Sequence, residues 1–178
     1  MKRNASGKDS AGAGLRLEAF LPYRLSVLAN RVSAALARRY QERFGLSIPE
    51  WRVMAVLGRC GDLSATELAQ RTVMDKVRIT RAAQALARKG LIERRRDPGD
   101  QRITRHRLTR RGREVHAAIA ALALEWERRF LEGLDPRERA CLWDLLGRLE
   151  RRLEEVEGGD VAEGARDAAS SATGAAGG

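Results

Sequence analysis

The residue types that most often carry catalysis or bind metal are sparse in this 178-residue sequence. Its two histidines, His106 and His116, have no cysteines or acids spaced with them as metal ligands would be, so we expect no metal site. Cys60 and Cys141 form no Cys-x-x-Cys pair, and we expect both to be small packing residues in a reduced cytoplasmic compartment. No Ser/His/Asp or Cys/His order and no glycine-rich phosphate loop stands out. The sequence therefore predicts no enzyme and no cofactor.

Arginine is the residue type whose placement suggests a function. The formal net charge is +10, and the whole surplus lies between Arg71 and Glu114, where 15 basic residues accompany five acidic ones. Such a charge density attracts polyanions. A membrane-surface helix would need one unbroken amphipathic segment, whereas glycine and proline interrupt this one at four positions, and no apolar stretch approaches the roughly 20 residues that span a bilayer. We therefore expect nucleic acid, and no membrane, as the partner.

The densest charge lies in ERRRDPGDQRI, residues 93–103. Three interpretations are a flexible linker, a metal site formed by Asp97 and Asp100, or a turn that touches a polyanion. Strand-like residues on both sides predict a β-hairpin turning at Asp-Pro-Gly-Asp, which argues against a linker. The two acids have no further ligands and are outnumbered by arginines, which argues against a metal. A basic hairpin is the remaining interpretation.

Composition divides the chain into a folded part and two tails. Residues 1–14 and 158–178 are rich in small and polar residues that bury too little apolar surface to offset the entropy of ordering, so we expect both to be disordered. Residues 15–157 then form one folded domain. Within it, apolar residues recur with the 3.6-residue period of helices at about 17–44 and again at about 111–157.

Between these outer helices the sequence predicts three shorter ones. Ser-x-x-Glu at 47–50 and at 64–67 has the form of a capping box, and Asp75 can cap a third helix over 76–89. A capped helix, a tight turn, an arginine-rich helix and a basic hairpin, in this order, predict a winged helix-turn-helix over about 47–110. The predicted fold class is mainly α with a small β wing, in which this lobe is joined to a helical dimerisation region.

In a winged helix-turn-helix the second helix presents polar side chains to the major groove. The candidates in this helix are Lys76, Arg78, Thr80, Arg81 and Gln84. Its packing stripe is predicted to be Val77, Ile79, Ala83 and Leu86.

In the hairpin, Arg102 is expected to enter the negatively charged minor groove. Three further arginines are expected to lie beside phosphates and to supply affinity: Arg94, Arg95 and Arg96. We expect His106, in a strand of the same hairpin, to face DNA or solvent.

Four segments resemble the MarR family of bacterial transcription regulators: residues 51–57, residues 67–69, the run TVMDKVRITRAAQALARKGLIERRRDPGDQR, and residues 108–112. The resemblance covers about 20–155. Asp100-x-Arg102 matches the family's wing signature, which implies that Asp100 helps to hold the wing while Arg102 enters the minor groove. Many members have Ser or Thr where this chain has Val77-Arg78, so an arginine contact is expected to replace a hydroxyl contact there. The resemblance implies a homodimer, most often a repressor, on a pseudo-palindromic operator.

The resemblance also implies release from DNA by a small, often aromatic, anionic effector. Arg24 and Arg31 interrupt an apolar stripe of the first helix, and a guanidinium on such a face needs an anion. One alternative is an ion pair across the dimer with an acid such as Glu150 or Glu154. The other is a bound aromatic acid or its CoA thioester. The candidate effector-binding residues are Tyr23, Arg24, Asn30, Arg31 and Trp51.

Two expectations limit this function. Residues 15–44 contain no cysteine, which argues against the peroxide-sensing branch of the family. A second function class also stays open, namely a winged helix that docks on protein or RNA and has no ligand response. Steep loss of affinity with salt would favour DNA over docking on protein.

Overall fold

The computed structural model describes residues 15–174, with side chains described through residue 158. It is mostly helical with one small antiparallel sheet, as predicted. After a 3-10 turn at Leu17–Ala19, the elements are α1 (Leu21–Phe44), α2 (Ile48–Cys60), β1 (Leu63–Ser64), α3 (Ala65–Thr72), α4 (Lys76–Arg88), β2 (Ile92–Arg96), β3 (Thr104–Leu108), α5 (Arg110–Phe130) and α6 (Pro136–Gly174).

The chain forms two compact units. The first ends at Trp126 and contains α1 to α4, the sheet and most of α5, whereas the second begins at Glu127 and contains α6. The first unit has an aliphatic core with few aromatic residues. Its largest fully buried side chains are Tyr40, Leu46, Met54, Leu68, Ile79, Leu86, Ile119 and Val53.

The helix starts predicted from Ser-x-x-Glu are both present as complete capping boxes. The Glu50 carboxylate accepts a hydrogen bond from the Ser47 backbone N–H at 2.7 Å, and the Ser47 hydroxyl oxygen accepts one from the Glu50 N–H. Ser64 and Glu67 repeat this arrangement at the start of α3. The Asp75 carboxylate caps α4 by accepting a backbone N–H at 2.8 Å. Local sequence thus determines where α2, α3 and α4 begin.

The start of α5 is held tightly against the turn that precedes β2. The Thr109 hydroxyl donates to the Gly90 carbonyl at 2.8 Å and accepts from the Gly112 N–H at 2.9 Å. Gly112 is buried, and a Cβ atom there would lie only 1.9 Å from the Leu91 carbonyl oxygen. Only glycine therefore allows α5 to approach this backbone so closely.

The packing stripe of α4 differs from the predicted one at two positions, because Ala82 belongs to it and Val77 does not. The buried residues are Ile79, Ala82, Ala83 and Leu86, whose spacing of three and four residues makes one continuous helix face. Val77 was expected in this stripe, but its side chain is 60% exposed. Because residue 77 lies only two positions before Ile79, the helical period turns it toward the outer face.

The sheet has the strand order β1-β3-β2, with both pairs antiparallel. The predicted hairpin is present, with Ile92 opposite Leu108 at its base and Arg96 opposite Thr104 toward the tip. Strand β1 was not predicted, because two residues are too short for a periodic signal. It makes β3 the central strand, with Leu63 opposite His106.

The expectation that His106 faces DNA or solvent is wrong. His106 shares a face of β3 with the buried Leu108 and is only 7% exposed. Its Nδ1 lies 3.4 Å from the Leu63 carbonyl oxygen. Burial lowers the pKa of His106 below its ordinary 6.5, so the ring is neutral at pH 7.

Helix α6 is longer than the sequence indicated. It continues to Gly174, so residues 158–174 are helical in the structure where the composition predicts a disordered tail. Five alanines, with Glu163 and Arg166, are the residues of high helix propensity in this stretch and favour continuation of the helix. The predicted tail at 1–14 and the last residues, 175–178, lie outside the described part of the chain.

A charged pair ties the end of α4 to the loop between α1 and α2. The Lys89 ammonium donates to the Glu50 carboxylate at 2.6 Å and to the Gly45 carbonyl oxygen at 2.7 Å. Glu50 is only 4% exposed. Burial by itself would raise the pKa of Glu50, but hydrogen bonds from Lys89 and Ser47 together hold it below its ordinary value of 4.5. Glu50 is therefore ionised at neutral pH.

We expect Lys89→Met to lower the free energy of unfolding at pH 7 by about 2 kcal/mol, somewhat less than for a fully buried pair because Lys89 keeps contact with water. Since the folded protein lowers the pKa of Glu50, the stabilisation is present above pH 4.5 and is lost as the pH falls below it. Urea unfolding followed by circular dichroism at pH 7 and near pH 4 measures both effects. The exposed Lys76→Met is the matched control; equal stability of the two variants would contradict the role of Lys89.

Candidate nucleic-acid interface

The outer face of α4 carries every polar residue predicted for groove contact. All five are exposed: Lys76, Arg78, Thr80, Arg81 and Gln84. They differ in whether the side chain already has a hydrogen-bond or ion-pair partner within the protein. The Arg78 Nε lies 3.3 Å from the Asp75 carboxylate, and the Thr80 hydroxyl donates to the Lys76 carbonyl at 2.8 Å. Within residues 15–158, the side chains of Lys76, Arg81 and Gln84 have no hydrogen-bond or ion-pair partner.

The turn before α4 is fixed from both sides. At its start, the Thr72 hydroxyl donates to the Leu68 carbonyl at 2.6 Å, which holds Thr72 at the end of α3. Val73 then adopts a left-handed conformation with φ of 52°. Met74 is buried, and its N–H donates to the Ala69 carbonyl at 3.2 Å. The turn thereby directs α4 away from α3 with the polar face outward.

The three consecutive arginines of β2 do not share one surface. Because side chains alternate along a strand, Arg94 and Arg96 project from one face of the hairpin and Arg95 from the other. All three are exposed. Arg96 also donates to the Gln101 carbonyl at 3.1 Å, within the hairpin itself. A single phosphate backbone beside one face of the hairpin can therefore meet at most two of them directly.

The hairpin tip is organised chiefly by Asp97. Its carboxylate accepts the backbone N–H groups of Gly99 at 2.8 Å and Asp100 at 3.2 Å, which closes the turn. It also accepts a hydrogen bond from the Arg105 guanidinium. These donors, with Arg105 the strongest, hold the pKa of Asp97 below its ordinary range. The Asp100 carboxylate, in turn, accepts the Arg102 N–H at 2.9 Å.

Arg105 connects the hairpin to the helices and was not among the predicted site residues. Besides Asp97, its guanidinium lies 3.6 Å from the Glu67 carboxylate of α3 and donates to the Asp62 carbonyl at 3.1 Å. An Asp that precedes Pro-Gly is a turn-forming signal, which could have assigned Asp97 this role. Nothing local in the sequence marks Arg105, because its three partners come from different parts of the chain.

The predicted effector residues fall into two groups. Tyr23, Arg24 and Arg31 line an open groove of about 740 Å³ along the first turns of α1, together with apolar residues such as Leu25 and Leu28. In the described part of the chain neither guanidinium has an acidic partner. Asn30 is exposed on α1 but does not line this groove.

Trp51, the fifth predicted effector residue, lies elsewhere. Its ring is 5.9 Å from that of Tyr40 and stacks on His116 at 5.6 Å between centroids. Tyr40 is buried, and burial lowers the pKa of His116. Trp51 therefore belongs to the side of the core rather than to the groove.

Other chemistry-bearing residues form no site. The expectation that the cysteines are packing residues is wrong, because Cys60 and Cys141 are both exposed. Among residues 15–158 no group of three or more His, Cys, Asp or Glu side chains is arranged to hold a metal ion. Over the described helices, none combines the length and apolar character needed to cross a membrane.

A capped helix pair, a polar recognition helix and a braced basic hairpin define a winged helix-turn-helix DNA-binding domain. A model of the MarR family matches residues 44–103. A solved MarR family transcriptional regulator from Silicibacter pomeroyi is 31% identical, with a TM-score of 0.64 and coverage of 76% of this chain and 99% of that one. The chain belongs to the MarR family and is a DNA-binding transcription regulator.

Two further relatives are a repressor and a regulator solved with a bound ligand. The transcriptional repressor IacR of Pseudomonas putida is 26% identical over 155 residues, covering 87% of this chain and 88% of that protein. The PcaV regulator of Streptomyces coelicolor, solved in complex with its natural ligand, is 26% identical, with a TM-score of 0.63 and coverage of 78% and 97%. The chain is thus similar both to a repressor and to a ligand-binding regulator.

We expect Arg105→Met to free the hairpin tip while the helices stay folded, because the substitution removes the contacts of Arg105 to Asp97, Glu67 and Asp62 together. Amide hydrogen exchange in residues 97–103 should accelerate several-fold, with unchanged protection in α2 and α3. The matched control is Arg95→Met, which lies opposite Arg105 in the sheet and is exposed. Unchanged exchange at the tip in Arg105→Met would show that other contacts hold the hairpin.

Proposed function

We propose that this regulator is a homodimeric repressor that binds a pseudo-palindromic operator and releases it when a small anionic effector binds. One observation carries the DNA-binding part of the proposal. The outward polar face of α4 and the Arg102-bearing hairpin belong to one segment that contains the entire +10 charge surplus. Charge of this magnitude on two neighbouring projections suits the grooves and phosphates of a duplex.

Each projection has its own role in the proposal. Arg81 and Gln84, whose polar groups are unengaged in the described chain, read base edges in the major groove, with Lys76 beside a phosphate. Arg78 contacts a phosphate from its position beside Asp75. The Thr80 hydroxyl, which already donates to the Lys76 carbonyl, accepts a hydrogen bond from the DNA. Arg102 enters the minor groove from a tip that Asp100 and Asp97 hold in shape.

The hairpin arginines supply affinity rather than sequence choice. Arg94 and Arg96 share a face with each other, and Arg95 lies on the opposite face. In the proposal, phosphates on either side of the inserted tip meet the two faces separately. Contacts of this kind strengthen binding to any duplex and make it sensitive to salt.

Homodimerisation is supported by apolar helix faces that the chain leaves exposed. In the first unit, Leu21, Leu25 and Leu28 of α1 are between 42% and 54% exposed. In the second unit, α6 exposes four apolar residues at helical spacing: Leu145, Leu149, Leu153 and Val156. Contiguous apolar surface of this kind marks an interface, and an isologous dimer would cover it in both copies. Its two-fold symmetry matches a palindromic operator.

The DNA proposal is tested with a duplex selected from a random pool. We expect Arg102→Ala to weaken its binding by about 1–3 kcal/mol, because a minor-groove guanidinium is lost. Sedimentation of this variant should show the same dimer as the wild type. Wild-type affinity should fall steeply with salt, with a logarithmic slope of about −0.9 per phosphate contacted. The control is Arg59→Ala, an exposed arginine outside the projections. Wild-type affinity in Arg102→Ala would refute the placement of the hairpin, and selection of RNA or no nucleic acid would refute DNA binding.

The effector proposal rests on the groove of α1. Arg24 and Arg31 are available to hold a carboxylate or the phosphates of a CoA thioester, while Tyr23, Leu25 and Leu28 offer apolar and aromatic surface for a ring. The ligand-bound structure of the PcaV relative supports a ligand response in this fold. A partner subunit's acid, Glu150 or Glu154, is the competing anion for the same arginines.

Calorimetry with aromatic carboxylates and their CoA thioesters tests the groove. We expect binding by wild type and a loss of at least tenfold in Arg31→Ala, because an ion-pairing guanidinium is removed from an apolar surface. Arg39→Ala, an exposed α1 position that does not line the groove, should bind as wild type does. Equal binding by Arg31→Ala, or dissociation of the dimer by that substitution, would favour the ion pair between subunits over the effector site.

A further inference from the structure

Two valines stand exposed where the recognition helix begins. Val73, in the turn before α4, is 91% exposed, and Val77, at the second position of α4, is 60% exposed. A single exposed valine needs no explanation, but these two flank the start of the helix that carries the polar groove-facing residues. They are the apolar part of a surface that is otherwise basic.

Val73 occupies a backbone conformation that a valine rarely adopts. Its φ of 52° is left-handed, and the other described residues with positive φ are the glycines at positions 45, 61 and 90. A β-branched side chain is disfavoured there, so a glycine would make the same turn with less strain. The Val73 side chain gains no packing within the described chain in return. Such an outlier points to a function outside the fold.

Val77 lies on the same face of α4 as the candidate base-reading residues. Positions 77, 80, 81 and 84 are separated by three, four and seven residues, which places them in one row along the helix. The first turn of a recognition helix is the part that comes closest to base edges in the major groove. The one apolar group that a base pair presents there is the C5 methyl of thymine.

We propose that Val73 and Val77 read thymine methyl groups in the major groove of the operator. The proposal rests on the proposed DNA binding and adds a specificity to it. Polar residues further along α4 read hydrogen-bonding edges, whereas the two valines at its start select thymine by apolar contact. Burial against a methyl group also gives both side chains the desolvated environment that they lack in the free protein.

The test uses the duplex selected by the wild-type protein, with each thymine replaced in turn by deoxyuridine. This replacement removes only the C5 methyl and leaves the hydrogen-bonding edges intact. We expect one or two positions in each half-site at which wild-type affinity falls by about fourfold, the factor that corresponds to one buried methyl-sized group. At the position that Val77 contacts, Val77→Ala should lose this sensitivity, so that the two changes are not additive. Gln84→Ala, in the same row, should bind more weakly but keep the sensitivity.

Val73 needs a readout that separates reading from folding. We expect Val73→Gly to lose the sensitivity to deoxyuridine at its own position without any fall in the melting temperature, because glycine relieves the left-handed strain. A lower melting temperature with unchanged deoxyuridine sensitivity would overturn the role of Val73. Wild-type binding that is indifferent to deoxyuridine at every position would overturn methyl reading altogether while leaving DNA binding in place. Failure to select any duplex would instead overturn the proposed function and this inference with it.

Discussion

The contacts of Arg105 anchor the basic hairpin, one of the two projections that this domain presents, to the body of the first unit. A hairpin is attached to its domain only through its base, and this one must keep a fixed position relative to α4 if both are to meet one duplex. Arg105 joins the tip at Asp97 to Glu67 of α3 and to the Asp62 carbonyl beside β1. Without these contacts the tip would keep its turn and its strand pairing but lose its connection to α3, so its arginines would no longer have a fixed position relative to the helices.

The same contacts show how the fold tolerates so many like charges. Some arginines are paired with acids of their own segment: Arg105 with Asp97, Arg107 with Glu93, and Arg78 with Asp75. Others, such as Arg81 and Arg102, are exposed without a described partner. Paired guanidiniums shape the surface, whereas unpaired ones keep their full charge for a polyanion. The few acids of the segment therefore stabilise local structure and do not simply neutralise the basic charge.

Local signals predicted most of the fold. Capping boxes, helical periodicity and the Asp-Pro-Gly-Asp turn identified the helices and the hairpin, because each is determined by residues within a few positions of one another. Two features that the sequence did not predict concern pairing between distant segments. Strand β1 pairs with β3 and places the Leu63 carbonyl beside the buried His106, and Arg105 has partners in three segments of the chain. Neither arrangement leaves a local pattern that could be recognised beforehand.

The candidate site was predictable to a similar extent. The polar face of α4 is exposed at every predicted position, whereas Val77 was misplaced because an apolar residue was assumed to be buried. Helical spacing predicts which residues of α4 are buried better than residue type does, since Ala82 completes the three-and-four pattern of the buried stripe and Val77 does not. Trp51 does not line the groove, because its ring packs against Tyr40 and His116, and these contacts between distant segments leave no local pattern in the sequence.

Hydrogen bonds within the first unit connect the helix that carries the groove to α4. A ligand changes DNA affinity only by binding two arrangements of the protein unequally. The groove lies at the start of α1, and the end of α1 meets α4 at the Gly45 carbonyl, which accepts the Lys89 ammonium. Lys89 also holds Glu50 at the start of α2. A shift of the end of α1 would have to stretch or break the hydrogen bonds that connect Gly45, Lys89 and the buried Glu50 carboxylate. A network of this kind favours two discrete arrangements of the helices over a series of small displacements.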